Sequence, residues 1–239
     1  MRIAMWSGPR NLSTALMYSF GARPDCAVTD EPFYATYLRR TGQQHPMTKE
    51  ILAADTLTPA EIVDALTGPI PQGRTVYYQK LMTHHMLPGM PLDWMTQVRN
   101  VFLIRHPARV IASYTAKRED PTAEEIGFGA QLRLFEKACD LGQDPLVIDA
   151  MDIRAQPEAA LRALCAALGL PFDDNMLKWP AGGHPADGVW AKHWYGAVHR
   201  STGFADPEGP LPELTGRHAA LCETAVPIYE RLRTARIIP

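Results

Sequence analysis

The sequence predicts an α/β fold in which a mostly parallel central sheet is flanked by helices on both faces, and three observations carry that prediction. Short apolar runs alternate along the chain with stretches of helical periodicity, the pattern of strands joined by crossover helices. The chain opens with an apolar run, a tight turn and an amphipathic helix in direct succession. Ser7, Asp30, Glu31, Lys80, Arg105 and Asp149 all fall at the carboxyl ends of apolar runs, the edge where such sheets hold ligands.

Each element has its own reason. Arg2 to Trp6 reads as a buried strand, and the turn Ser7-Gly8-Pro9-Arg10-Asn11-Leu12-Ser13-Thr14 leads into a helix over 12–21, with Leu12, Ala15, Leu16 and Phe20 on one face. A strand over 26–29 precedes Asp30-Glu31-Pro32-Phe33, where Pro32 biases Glu31 toward an extended backbone at the strand end. A helix over 59–66 leads to strand 75–80, which runs into Lys80. Strand 100–105 runs into Arg105 and His106, and Pro107 opens a helix over 107–118. Helix 122–141, strand 145–149, helix 157–168 and a packing helix from about 213 to 233 complete the alternation.

Two segments stand apart: a polar one over 39–58, and a Gly/Pro-rich one over 180–212 that carries Trp190, Lys192, His193, Trp194, Tyr195 and Arg200. Both are expected to be lids or binding loops of a single domain spanning 1–239. With 239 residues and a net charge of −2, the chain has no basic excess for a nucleic-acid partner. Cys26, Cys139, Cys165 and Cys222 fit no CxxC or zinc spacing and read as reduced thiols. Met1 to Trp6 is too short for a signal peptide or membrane span, so a soluble, cytoplasmic protein without a membrane partner is expected. The sequence carries no sign of oligomeric state.

The first turn is built to hold an oxyanion. It presents the unpaired amides of the first helical turn around Leu12 to Thr14, the hydroxyls of Ser13 and Thr14, and the Arg10 guanidinium. It lacks the Gly-Lys-Ser/Thr ending of a nucleoside-triphosphate loop. The later strands end in Lys80 and Arg105, cations that suit a ligand neutralised by the protein and not by a metal. Asp149 keeps a magnesium-dependent kinase as the alternative, and His184, His193 and His199 are too irregularly spaced for a metal site.

Three segments together resemble the sulfotransferases that use 3′-phosphoadenosine 5′-phosphosulfate (PAPS) and share a P-loop-like, three-layer α/β fold. Gly8-Pro9-Arg10-Asn11-Leu12-Ser13-Thr14 is similar to the family's 5′-phosphosulfate loop, matching at Pro9, Arg10, Ser13 and Thr14 and departing at Asn11, where Ser is usual, and Leu12, where Gly is usual. Val101 to Tyr114 is similar to the 3′-phosphate element, with Arg105 at the strand end and Ser113 eight positions on. Leu146 to Phe172 resembles a strand, an acidic turn and a helix ending in Leu168-Gly169-Leu170, with a structural role.

The resemblance implies PAPS as co-substrate, no metal, and transfer to a hydroxyl or amine of a small-molecule acceptor. Gly8 to Thr14, Arg105 and Ser113 would bind the donor, and Arg10 would stabilise the leaving phosphate. The family's basic C-terminal loop closes over the 3′-phosphate, and Lys192 to Gly203 could serve as that loop, without a residue-by-residue match. Glu31 is the first choice as general base, because Glu-Pro-Phe supplies the base in some members. His84 or His85 is the rival, Lys80 could assist charge stabilisation or simply be solvated, and a nucleotide-binding protein without turnover stays open.

Overall fold

A computed structural model describes residues 1–116 and 120–239. Its centre is a five-stranded, all-parallel sheet: β1 (Arg2–Ser7), β2 (Cys26–Asp30), β3 (Val76–Met82), β4 (Arg99–Ile104) and β5 (Leu146–Asp149) in the order β2-β3-β1-β4-β5. Strands covered on both faces need apolar residues at nearly every position. Accordingly Ile3 to Ser7 and all seven residues of β3 are buried.

Alternate residues serve opposite layers. Ala4, Trp6, Tyr77, Leu81 and Phe102 join one core with α4 (Pro59–Thr67), α7 (Phe128–Asp140) and α12 (Gly216–Arg233). Ile3, Met5, Tyr78, Val101 and Leu103 join another with α1 (Ser13–Gly21) and α9 (Pro157–Leu168). Register pairs Ser7 with Met82 on one side and Leu103 on the other, so the loops leaving β1, β3 and β4 emerge side by side.

The structure corrects several elements. Half of the polar segment 39–58 is helical: the end of α2 (Tyr34–Thr41) and α3 (Thr48–Ala54) fall in it, and the two helices pack on each other. The helix expected over 107–118 is α5 (Pro107–Thr115), and positions 117–118 of that expectation lie outside the described residues. The helix expected over 122–141 is interrupted at Gly127, whose φ of 76° ends α6 (Ala123–Ile126) before α7 begins. A short α8 (Ala150–Ala155) follows β5, with Asp149 as its cap. Within 180–212 lie two single turns, α10 (Ala191–Trp194) and α11 (Gly196–His199).

The break at Gly127 brings α6 against the first loop. A Cβ on Gly127 would lie 3.2 Å from Thr83 Oγ1 and 3.5 Å from the Gly8 Cα. Gly127→Ala is therefore expected to lower the urea-unfolding free energy by about 1–2 kcal/mol, the cost of a left-handed non-glycine residue, with an unchanged m-value. An unaltered midpoint would contradict this packing.

Candidate functional site

The loop from β1 to α1 holds backbone that its residues disfavour. Arg10 has φ 63° and Leu12 has φ 73°, the left-handed region that glycine enters freely and branched side chains enter at a cost. Leu12 thus stands in the conformation that suits the glycine usual at its place. A Cβ on Gly8 would sit 2.9 Å from the Ile126 carbonyl, so that glycine is required by close approach. The Asn11 side chain is buried and donates to the Leu103 carbonyl (3.2 Å), tying the loop to β4. Leu12 packs its side chain on the core.

The start of α1 has no side-chain cap, so its first amides lack an acceptor from that source. Ser13 is buried and Thr14 half-buried at this turn. The two predicted anion cradles are continuous: Arg10 Nε donates to Ser113 Oγ (3.0 Å), and Arg105 Nη1 donates to the Arg10 carbonyl (2.6 Å). Burial, and next the charge of Arg105, hold the Arg10 guanidinium below its ordinary pKa.

Sequence reasoning did not find the rest of this cluster. Arg105, Arg109 in the first turn of α5 and Arg154 in α8 all pair with Glu208. Arg109 did carry a signal, since a cation at a helix N-terminus is unfavourable without an anion nearby. Glu208 carried none. The basic loop sought in Lys192 to Gly203 does not meet Arg105: Lys192 and Arg200 are exposed, and an acidic residue outside that stretch makes the contact.

On the other side of β1, Lys80 is not solvated. Its Nζ donates to Asp30 Oδ1 (2.8 Å), Glu31 Oε1 (2.6 Å) and Tyr195 Oη (2.5 Å). Strand register accounts for this, because Asp30 lies directly across from Lys80. The Tyr195 hydroxyl donates to Asp30 and accepts from Trp190 Nε1 (3.0 Å), so these aromatics are buried hydrogen-bonding groups as well as walls. Glu31 is not extended as Pro32 led us to expect. Its φ is 43°, because its amide continues the ladder to the Lys80 carbonyl (3.0 Å) while the chain turns into α2.

Asp30 and Lys80 are 0% and 1% exposed, whereas the Glu31 side chain is 11% exposed and is the member of the trio that reaches solvent. Burial raises the Glu31 carboxyl; Lys80 opposes that shift and Asp30 adds to it. Burial alone would lower Lys80, but Asp30 and Glu31 outweigh it and raise its pKa. Two carboxylates around one ammonium leave a net negative site with an affinity for a proton.

His84 and His85 belong to an aromatic layer. The His85 ring stacks on Tyr34 (4.7 Å) and Tyr37 (4.9 Å), and His84 meets Tyr37 edge-on (5.4 Å). Burial lowers His84 to about 3 and His85 well below the ordinary range, so both are neutral and His84 is a weak proton acceptor. Asp149, the carboxylate a magnesium-dependent reading needs, is fully buried and accepts from the Tyr229 hydroxyl (2.7 Å) and the Met151 amide (2.9 Å). His199 pairs with Asp187 (3.0 Å), and the described residues include no cluster of three metal-ligating side chains. No described helix is long and apolar enough to cross a membrane.

Comparison with known proteins adds an independent line. The family model described as "Sulfotransferase domain" matches residues 1–236. Two Arabidopsis thaliana proteins, branched-chain-amino-acid aminotransferase-like proteins 1 and 2, are 39% and 38% identical over 97% of this chain. The chain spans 41% of the length of these curated relatives. A sulfotransferase from Alicyclobacillus acidocaldarius shares the fold with TM-score 0.58 at 12% identity, over 98% of this chain and 94% of that one. The sulfotransferase domain of the curacin biosynthetic pathway does so with TM-score 0.52 at 18% identity, over 93% and 96%.

The histidine layer sets a pH dependence. Unfolded histidines titrate near 6.5, whereas His84 stays neutral in the fold down to about 3. Between those limits the unfolded chain binds more protons, so stability falls with falling pH by about 1.4 kcal/mol per unit per histidine. His84→Gln should remove one histidine's share of that slope in urea titrations between about pH 6 and 4. An unchanged slope would contradict the neutral, buried His84.

Proposed function

The chain belongs to the sulfotransferase domain family, and on that premise we propose that it moves a sulfuryl group from PAPS to a hydroxyl or amine of a small-molecule acceptor. The observation that supports this best is the surplus of fixed positive charge beside the β1 loop: Arg105, Arg109 and Arg154 gather around one carboxylate, Glu208, and Arg105 also donates to the Arg10 carbonyl. Arginine does not shed its proton at neutral pH, so that surplus suits a ligand with several negative charges. PAPS is such a ligand, and it supplies the activated sulfuryl group.

In this reading the Gly8 to Thr14 backbone and the Ser13 and Thr14 hydroxyls hold the 5′-phosphosulfate. Arg10, oriented by Ser113, offers its planar fork to charge developing on the leaving phosphate. Arg105 and Ser113 serve the 3′-phosphate. The guanidinium groups provide the charge neutralisation that a divalent cation gives in ATP chemistry. Glu31, largely buried but reaching solvent at the rim, and raised in pKa by burial, accepts the acceptor's proton. Lys80 and Tyr195 hold it in place.

His84 is a poor base, because a group whose proton affinity lies near the working pH transfers protons most effectively and His84 sits far below it, whereas burial shifts Glu31 upward. Asp149 is already engaged by Tyr229, which leaves the magnesium-dependent alternative without its carboxylate.

Incubation with ³⁵S-labelled PAPS and a panel of phenols, alcohols and amines tests the proposal. A labelled product is expected, with kcat in Glu31→Gln reduced by roughly 10²–10⁴ and affinity for 3′-phosphoadenosine 5′-phosphate (PAP) retained. Tight PAP binding with no product from any acceptor would favour a nucleotide-binding protein without turnover. Magnesium-stimulated phosphoryl transfer from ATP would favour a kinase.

A further inference from the structure

The loop between α11 and α12 is exposed over 205–207 and 209–211, yet the Glu208 side chain between them is only 2% exposed. Its carboxylate faces three guanidinium groups. Arg105 donates through Nε (3.1 Å) and, more closely, through Nη2. Arg109 Nε lies 2.9 Å from Oε2, and Arg154 Nη1 lies 2.9 Å from Oε1. The neighbouring backbone joins in, with Arg154 Nε donating to the Asp206 carbonyl (2.8 Å) and Arg109 to the Gly209 carbonyl.

The three arginines arrive from separate elements, the end of β4, the first turn of α5 and α8, so they converge by tertiary design and not by sequence proximity. Against three cations, Glu208 brings one negative charge and two acceptor oxygens. A phosphomonoester brings close to two charges and three acceptor oxygens, in the geometry guanidinium forks prefer. It would therefore compete well for the same donors. Glu208 also accounts for Arg109 being tolerated at a helix N-terminus when no ligand is bound.

We propose that Arg105, Arg109 and Arg154 form a phosphomonoester site in which Glu208 is an internal placeholder, exchanged for the 3′-phosphate of the nucleotide as the 205–212 loop is released. The nucleotide's identity rests on the donor reading above; the placeholder does not follow from it, because that reading calls for a basic closing segment and this loop is acidic. The closed loop reduces apparent affinity by the fraction of molecules in which Glu208 occupies the site. A loop closed about nine-tenths of the time weakens binding about tenfold.

Calorimetric titration of PAP and of AMP into the wild type and Glu208→Gln tests this, together with hydrogen exchange of the wild-type 206–212 segment. Glu208→Gln should bind PAP roughly tenfold more tightly and bind AMP, which lacks the 3′-phosphate, as the wild type does. Saturating PAP should speed exchange across 206–212, and AMP should not. If PAP binds with equal or lower affinity to Glu208→Gln and leaves the loop's exchange unchanged or slowed, Glu208 is a fixed structural partner and the proposal fails while the donor reading stands. If PAP binds neither protein, both fail. Should the variant not fold, exchange in the wild type decides alone.

Discussion

Guanidinium charge that cannot be discharged, held at the carboxyl edge of a parallel sheet, is the constraint on which the rest of the site depends. A lysine or histidine in the same crowd could lose its proton, but an arginine cannot. Arg10, Arg105, Arg109 and Arg154 must therefore be compensated by an anion, and the chain provides one carboxylate for the last three. The compensation is partial. Close to that imbalance lie the left-handed backbone at Arg10 and Leu12 and the uncapped first turn of α1, with Glu208 nearly buried within an exposed loop.

A second cluster of opposite sign flanks the same loop. β3 lies on one side of β1 and β4 on the other, so Lys80 with its two carboxylates stands across the β1 loop from Arg105. One cluster has a surplus of positive charge and the other of negative charge. In the proposed reaction the first meets the leaving phosphate and the second takes the proton, which keeps the two tasks from neutralising each other. Glu31 shares with Arg10 and Leu12 a left-handed backbone, and strain of this kind persists only where the surrounding structure over-determines it. For Glu31 that structure is the ladder bond to Lys80 and the tyrosine and tryptophan behind it.

Much of the fold was legible because parallel strands write themselves as apolar runs, and the loop after β1 was legible because glycine, proline and hydroxyl residues crowd into it. Arg105 and Ser113 were singled out by the resemblance to the family's 3′-phosphate element, and Glu31 and Lys80 by their places at strand ends. What escaped was tertiary. Nothing local tells that Asn11 turns inward to Leu103, that Tyr195 caps Lys80, or that Glu208 returns from a loop about a hundred residues away. Glu31 was misjudged in backbone because the local bias of Pro32 lost to a ladder hydrogen bond. The long helix expected over 122–141 was misjudged because one glycine in the left-handed region outweighs an otherwise continuous pattern.

Crystals grown with saturating PAP would test the central claim most directly. The account predicts the 5′-phosphate over the first turn of α1 beside Arg10, and the 3′-phosphate among Arg105, Arg109 and Arg154 with Glu208 withdrawn. PAP bound elsewhere, with Glu208 still seated on its three arginines, would contradict it.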